Sequence, residues 1–179
     1  MTDSAAQPQP PLPVPAAEGP EPPALPFNVE AEQALLGALL VNNEVYDRVA
    51  GIIGPEHFHD PVHRRIFEVA ARRIQQNSLA TPVTLKTFLE DDAGLAELGG
   101  ARYLARLAGA AISTWSARDY ATIVRDLALR RELMAVGDEI RARAARAEEA
   151  LDPRAQIAEA EQRLYRLAET GRQEGGFQD

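Results

Sequence analysis

From Phe27 onward, large apolar residues recur at intervals of three and four, and they almost nowhere alternate with polar ones. That spacing predicts helices along nearly the whole chain. In NVEAEQALLGALL, Leu35, Leu36, Leu39 and Leu40 form one apolar face. Asn28 suits an N-cap, and Glu30 and Glu32 sit in a first turn where the helix dipole favours acids. Gly37 inside this helix costs about 1 kcal/mol relative to alanine, tolerable where another helix packs closely. NNEVYDRVAGII reads as a second short helix closed by Gly54-Pro55. Asp60-Pro61 is a start signal, a capping carboxylate followed by a residue that needs no amide donor. Val62, Ile66, Phe67, Ala70 and Ile74 follow at helical spacing. Thr81-Pro82 or Thr84 then opens a short helix through Leu85, Phe88 and Leu89, ending near Asp92-Ala93-Gly94. Gly99-Gly100 separates it from ARYLARLAG, another short amphipathic helix.

The stretch from Ser116 to Glu149 predicts a helix of more than thirty residues, with Ser116 and Asp119 as a near capping box. Its apolar pattern changes phase: Tyr120, Ile123, Val124 and Leu127 lie on one stripe, and Leu129, Leu133, Val136 and Ile140 on another. Such a helix packs its first half on one body and its second half on another. Asp152-Pro153 starts a last helix, in which Ile157, Ala160, Leu164 and Leu167 follow a 3-4-3 spacing like a coiled-coil seam. The expected fold is all-α: a globular head over residues 27–112, an antiparallel hairpin over 113–170, and a linker over 171–179. Two helices cannot cover their own apolar face, so the hairpin predicts self-association or a partner.

Composition sharpens this. The chain has 179 residues, enough for one ordinary domain. Residues 1–26 hold nine of its thirteen prolines and no aromatic residue, and cannot offset their ordering entropy by burial. They read as a disordered or polyproline-like tail, a spacer or a ligand for a proline-reading groove. The net charge of −8 argues against a DNA-gripping surface. Arg141, Arg143 and Arg146 are followed at once by Glu148 and Glu149, which makes a solvated face. There are no cysteines, no apolar run of membrane-spanning length and no secretory leader in MTDSAAQPQPPLP, so a cytoplasmic protein is expected.

EHFHDPVHRRIF holds all three histidines, His57, His59 and His63, beside Asp60. Only His63 falls inside the expected helix, in its first turn, whereas a helical ligand pair wants both residues inside at i and i+4. The helix-start reading is preferred to a metal site. No G-x-x-x-x-G-K-[ST] loop occurs, and Lys86 is the only lysine. Gly99-Gly100 lies between helices, Ser113 and Ser116 have no histidine near them, and Asp91 and Asp92 suit a solvated helix end. A non-catalytic module is expected, with no cofactor of its own.

PFNVEAEQALLGALL, FHDPVHRRIF, GGARYLARL and YATIVRDLALRREL occur in this order. Together they resemble the N-terminal domain of the bacterial replicative DNA helicase of the DnaB type, over about residues 26–170. His63 falls on the histidine of that family's F-x-x-x-x-H-x-x-I-F pattern, which begins here at Phe58. The resemblance implies a collar domain of a hexameric helicase at the replication fork, self-associating as a trimer of dimers through heads and hairpins. It implies docking of the helicase-binding domain of primase, and in some lineages a helicase loader, with little direct DNA binding. ATP, Mg²⁺ and the motor would belong to a C-terminal domain that this sequence does not include, so the chain reads as a domain-length piece ending before the linker helix. Under this reading Leu133, Val136, Ile140, Ile157, Leu164 and Leu167 are the candidates for self-association. Tyr120, Ile123, Arg130 and Arg131 are the candidates for primase docking. Alternative readings are the helicase-binding domain of primase itself, a stand-alone adaptor or loader module, and a metal-dependent enzyme built around the three histidines.

Overall fold

Eight of the thirteen residues of the first helix, α1 (Val29–Val41), are buried, which makes it the axis on which the rest of the head packs. The computed structural model describes residues 24–111, 114, 116–146 and 152–173. After α1 come α2 (Val45–Val49), a 3-10 turn (Pro55–His57), α3 (Pro61–Gln75), α4 (Pro82–Phe88), α5 (Ala93–Glu97), α6 (Ala101–Gly109), α7 (Ala117–Ala144) and α8 (Pro153–Gln173). Among the described residues there is no strand, and the all-α class is the one observed.

The caps explain where most helices begin. Asn28 Oδ1 accepts from the Ala31 amide at 2.9 Å. Asp60 Oδ1 accepts from the Val62 and His63 amides, with Pro61 in the first position that needs no partner. Thr81 and Thr84 form a reciprocal capping box, and Asp152 accepts from the Arg154 amide. The expected end near Asp92 is instead a new start: Asp92 caps the short α5 through the Leu95 amide at 2.8 Å. Ser116 makes no side-chain capping bond, so the anticipated box with Asp119 does not form, and α7 runs 28 residues rather than more than thirty. The readings for residues 1–23, Ser113, Glu148 and Glu149, and 174–179 lie outside the described residues.

Leu35, Leu36 and Leu39 of α1 meet Phe58, Ile66, Phe67, Leu85 and Leu104 in one continuous core. Gly37 is where α6 comes closest: a Cβ there would run into the Leu107 carbonyl oxygen. Close approach is the use of this glycine. The first half of α7 joins the same core through Ala117, Ala121, Val124 and Ala128, so that half of the long helix is a head helix. Beyond Ala128 no residue of α7 is buried. There it pairs with α8 and becomes the hairpin.

Candidate interaction surface on the hairpin

The structure separates the polar groups inside the head from the apolar groups outside it. Glu32, read from sequence as a first-turn acid, is buried at 1% exposure. Its carboxylate accepts from the His59 amide at 2.6 Å and faces His63 Nδ1 at 2.7 Å. His63 Nε2 lies 2.5 Å from the Tyr103 hydroxyl, which also accepts from Gln33 Nε2 at 3.1 Å. In the neutral tautomer with its proton on Nδ1, His63 donates to the Glu32 carboxylate and accepts at Nε2 from the Tyr103 hydroxyl. Burial raises the Tyr103 hydroxyl above the ordinary tyrosine value.

The histidines do not converge. His57 Nδ1 accepts from the Gly54 amide at 2.8 Å, so the Glu56 carboxylate 3.8 Å away is a neighbour, not an ion-pair partner. The His59 ring stacks on Phe27 with centroids 4.5 Å apart. Among the described residues no group of three histidine, aspartate or glutamate side chains is arranged to hold a metal ion. Nor is any helix among them long and apolar enough to cross a membrane.

The hairpin shows the opposite economy. Leu133 is 53% exposed, and Ile140 (37%), Ile157 (60%) and Leu164 (41%) remain exposed although they line the space between α7 and α8. Val136 and Leu167 are half-buried. Between the two helices lies an open cleft of ≈ 600 Å³ lined by Ile140, Ala144, Ile157, Ala160 and Leu164. Crossed charges flank it: Arg143 meets Glu159 at 2.6 Å, and Arg163 meets Glu139. The hydrogen bond and charge of Arg143 hold the Glu159 carboxyl below the usual glutamate value, and Glu159 in turn raises Arg143. Because these pairs are solvated, they fix register more than they stabilise. The seam is thus aligned but not covered.

The other candidates are scattered along one side of α7. Tyr120 is partly buried against the core, whereas Ile123 and Arg130 are exposed. Arg131 is turned inward: Nη1 donates to the Pro26 carbonyl at 2.9 Å and Nη2 to the His57 carbonyl at 2.7 Å. A second apolar area, unread in the sequence, lies on the head: Leu79, Val83 and Phe88 are exposed. Arg73 sits over the Phe88 ring at 4.7 Å and bonds the Leu79 carbonyl. The buried network was also missed, because its members are 31 and 40 residues apart and no local pattern links them.

Residues 24–126 match the family described as DnaB-like helicase N terminal domain. The chain is 38% identical over 156 residues to the replicative DNA helicase DnaB of Rickettsia typhi (strain ATCC VR-144 / Wilmington), covering 87% of this chain and 31% of that protein. It is 32% identical over 149 residues to the replicative DNA helicase DnaB of Haemophilus influenzae, covering 80% of this chain and 31% of that one. The chain therefore spans about a third of the length of the curated relatives it matches. Its fold is similar to the crystal structure of the N-terminal domain of DnaB helicase from Mycobacterium tuberculosis, with TM-score 0.73 and 26% identity, covering 80% of this chain and 99% of that one. It is also similar in fold to a DnaB-like replicative helicase solved with its interactions with primase, with TM-score 0.63 and 23% identity over 78% of this chain and 31% of that one.

Proposed function

Because the chain belongs to the DnaB-like helicase N-terminal domain family, we propose that it is a non-catalytic assembly and docking domain of a hexameric replicative helicase. The observation that carries this reading is the partly exposed set of apolar side chains Leu133, Ile140, Ile157 and Leu164 on a hairpin rich in charge. Apolar side chains aligned on a rigid element and left in water are what a protein partner removes from water. Full burial of such a side chain is worth about 1.5–3 kcal/mol, and the part of each that is still exposed favours association. A second copy of the chain takes this face, and a different contact, through the heads, joins such pairs into the collar.

Primase, and a loader where one exists, docks on the exposed side of α7 through Ile123 and Arg130, with Tyr120 beneath them and Arg131 holding the helix in place. ATP, Mg²⁺ and DNA translocation fall outside these residues, and the chain alone is expected to show neither ATP hydrolysis nor unwinding. A calorimetric titration with the C-terminal domain of primase from the same organism tests the docking role. Saturable heat that is lost in the Ile123→Glu, Arg130→Glu double variant supports it. Equal heat in that variant would place the docking surface elsewhere.

A further inference from the structure

The buried stripe of α7 ends at Ala128, and one turn later Arg131 supplies a last pair of bonds to the head. Those bonds go to two backbone carbonyls distant in sequence, Pro26 in the entry segment and His57 in the 3-10 turn. Phe27 stacks flat on His59, with 7° between the rings, and the His59 amide is held by buried Glu32. Three segments are therefore fastened together at the root of the hairpin.

The fastening is uneven. The turn is anchored from inside by Glu32, but the entry segment is not: Leu25 and Phe27 are each about half exposed. A short exposed stretch held by a hydrogen bond and a ring stack can be lifted without opening the core, because neither contact is part of it. Arg131 would not remain indifferent. A half-buried guanidinium that loses one of two carbonyl acceptors holds the start of the hairpin less tightly, because a single side-chain bond restrains it less than a pair.

We propose that residues 24–27 act as a releasable strap that, through Arg131, sets the angle of the hairpin against the head. With the strap closed, Arg131 bridges Pro26 and His57 and the hairpin leaves the head in one direction. With the strap lifted, only the His57 carbonyl holds Arg131, and the hairpin swings over a wider range.

The chain has no cysteine, so a pair of spin labels can be placed cleanly. Arg102→Cys on α6 and Ala158→Cys on α8 lie at exposed positions on the two bodies. Double electron–electron resonance on labelled chain diluted in unlabelled chain reads the distance between them. A narrow distribution is expected for the full chain and for one beginning at Ala24. A broadened distribution with unchanged helical circular dichroism is expected for Arg131→Met, which keeps the apolar stem but no donors, and for a chain beginning at Asn28. Phe27→Ala should fall between. If the chain beginning at Asn28 keeps the narrow distribution, the strap does not exist, whatever Arg131→Met shows. If that chain loses its helical signal, Phe27→Ala decides: a distribution as narrow as the full chain's overturns the proposal, and a broadened one upholds it.

Discussion

Tyr103 contributes more than packing to the head, because its hydroxyl is the donor that completes His63. Removing it as Tyr103→Phe leaves a buried imidazole nitrogen without a partner, a loss of about 1–3 kcal/mol. Denaturant unfolding should show the midpoint falling with the slope unchanged; an unmoved midpoint would mean that the hydroxyl is dispensable. The same residue sets an alkaline limit. Its pKa is raised in the fold, so its contribution is whole below the unfolded value of about 10 and is lost as pH rises through the higher folded value. Stability should decline above about pH 10 in the native chain, and less so in Tyr103→Phe. His63 could be placed from sequence in the first turn of a helix, since Asp60-Pro61 marks that start locally. Its partners Glu32 and Tyr103 could not, because they come from α1 and α6 and only the fold brings them together.

Helices were legible where the signal was local and the side chains large. The starts at Asn28, Asp60, Thr81 and Asp152 each carry a capping side chain, and each begins a helix. The short α5 was hidden because Asp92 reads equally as the end of one helix and the cap of the next. In α7 the large residues point to a stripe through Tyr120, Ile123, Val124 and Leu127; of these Val124 is buried and Tyr120 partly so, and the rest of the buried face is the small residues Ala117, Ala121 and Ala128. Small residues let two helix backbones approach, and the leucines of α1 supply the bulk on the other side. Gly37 tests the same principle. Alanine in a helix normally stabilises by about 1 kcal/mol relative to glycine. Here Gly37→Ala should instead destabilise by about 1–3 kcal/mol, because the added methyl runs into the Leu107 carbonyl, a backbone group that cannot swing aside. A raised thermal midpoint would mean that α6 yields. For the hairpin, Glu159 is depressed by Arg143, so its contribution is complete above the ordinary glutamate value of about 4.3 and is lost as pH falls through its own lower value. The thermal midpoints of native chain and Arg143→Gln should differ slightly near pH 6 and converge near about pH 3.

At the scale of the whole molecule, a head built around its own buried polar network carries a hairpin whose apolar residues are only partly covered. The sequence made the hairpin readable, through the change of phase in α7 and the 3-4-3 spacing in α8. It could not say whether α7 and α8 would cover each other's apolar residues, since that depends on how deeply two helices interlock. The structure leaves Leu133, Ile140, Ile157 and Leu164 between about a third and three-fifths exposed, and a partner that covers them completes the hairpin. Sedimentation velocity over a range of concentrations tests this most directly, with the native chain compared against a Leu133→Glu, Ile157→Glu double variant of equal helical content. A concentration-dependent association in the native chain, shifted to monomer in the variant, is the predicted result. A native chain that stays monomeric throughout, or a variant that associates equally well, would contradict the assignment of the hairpin as the assembly surface.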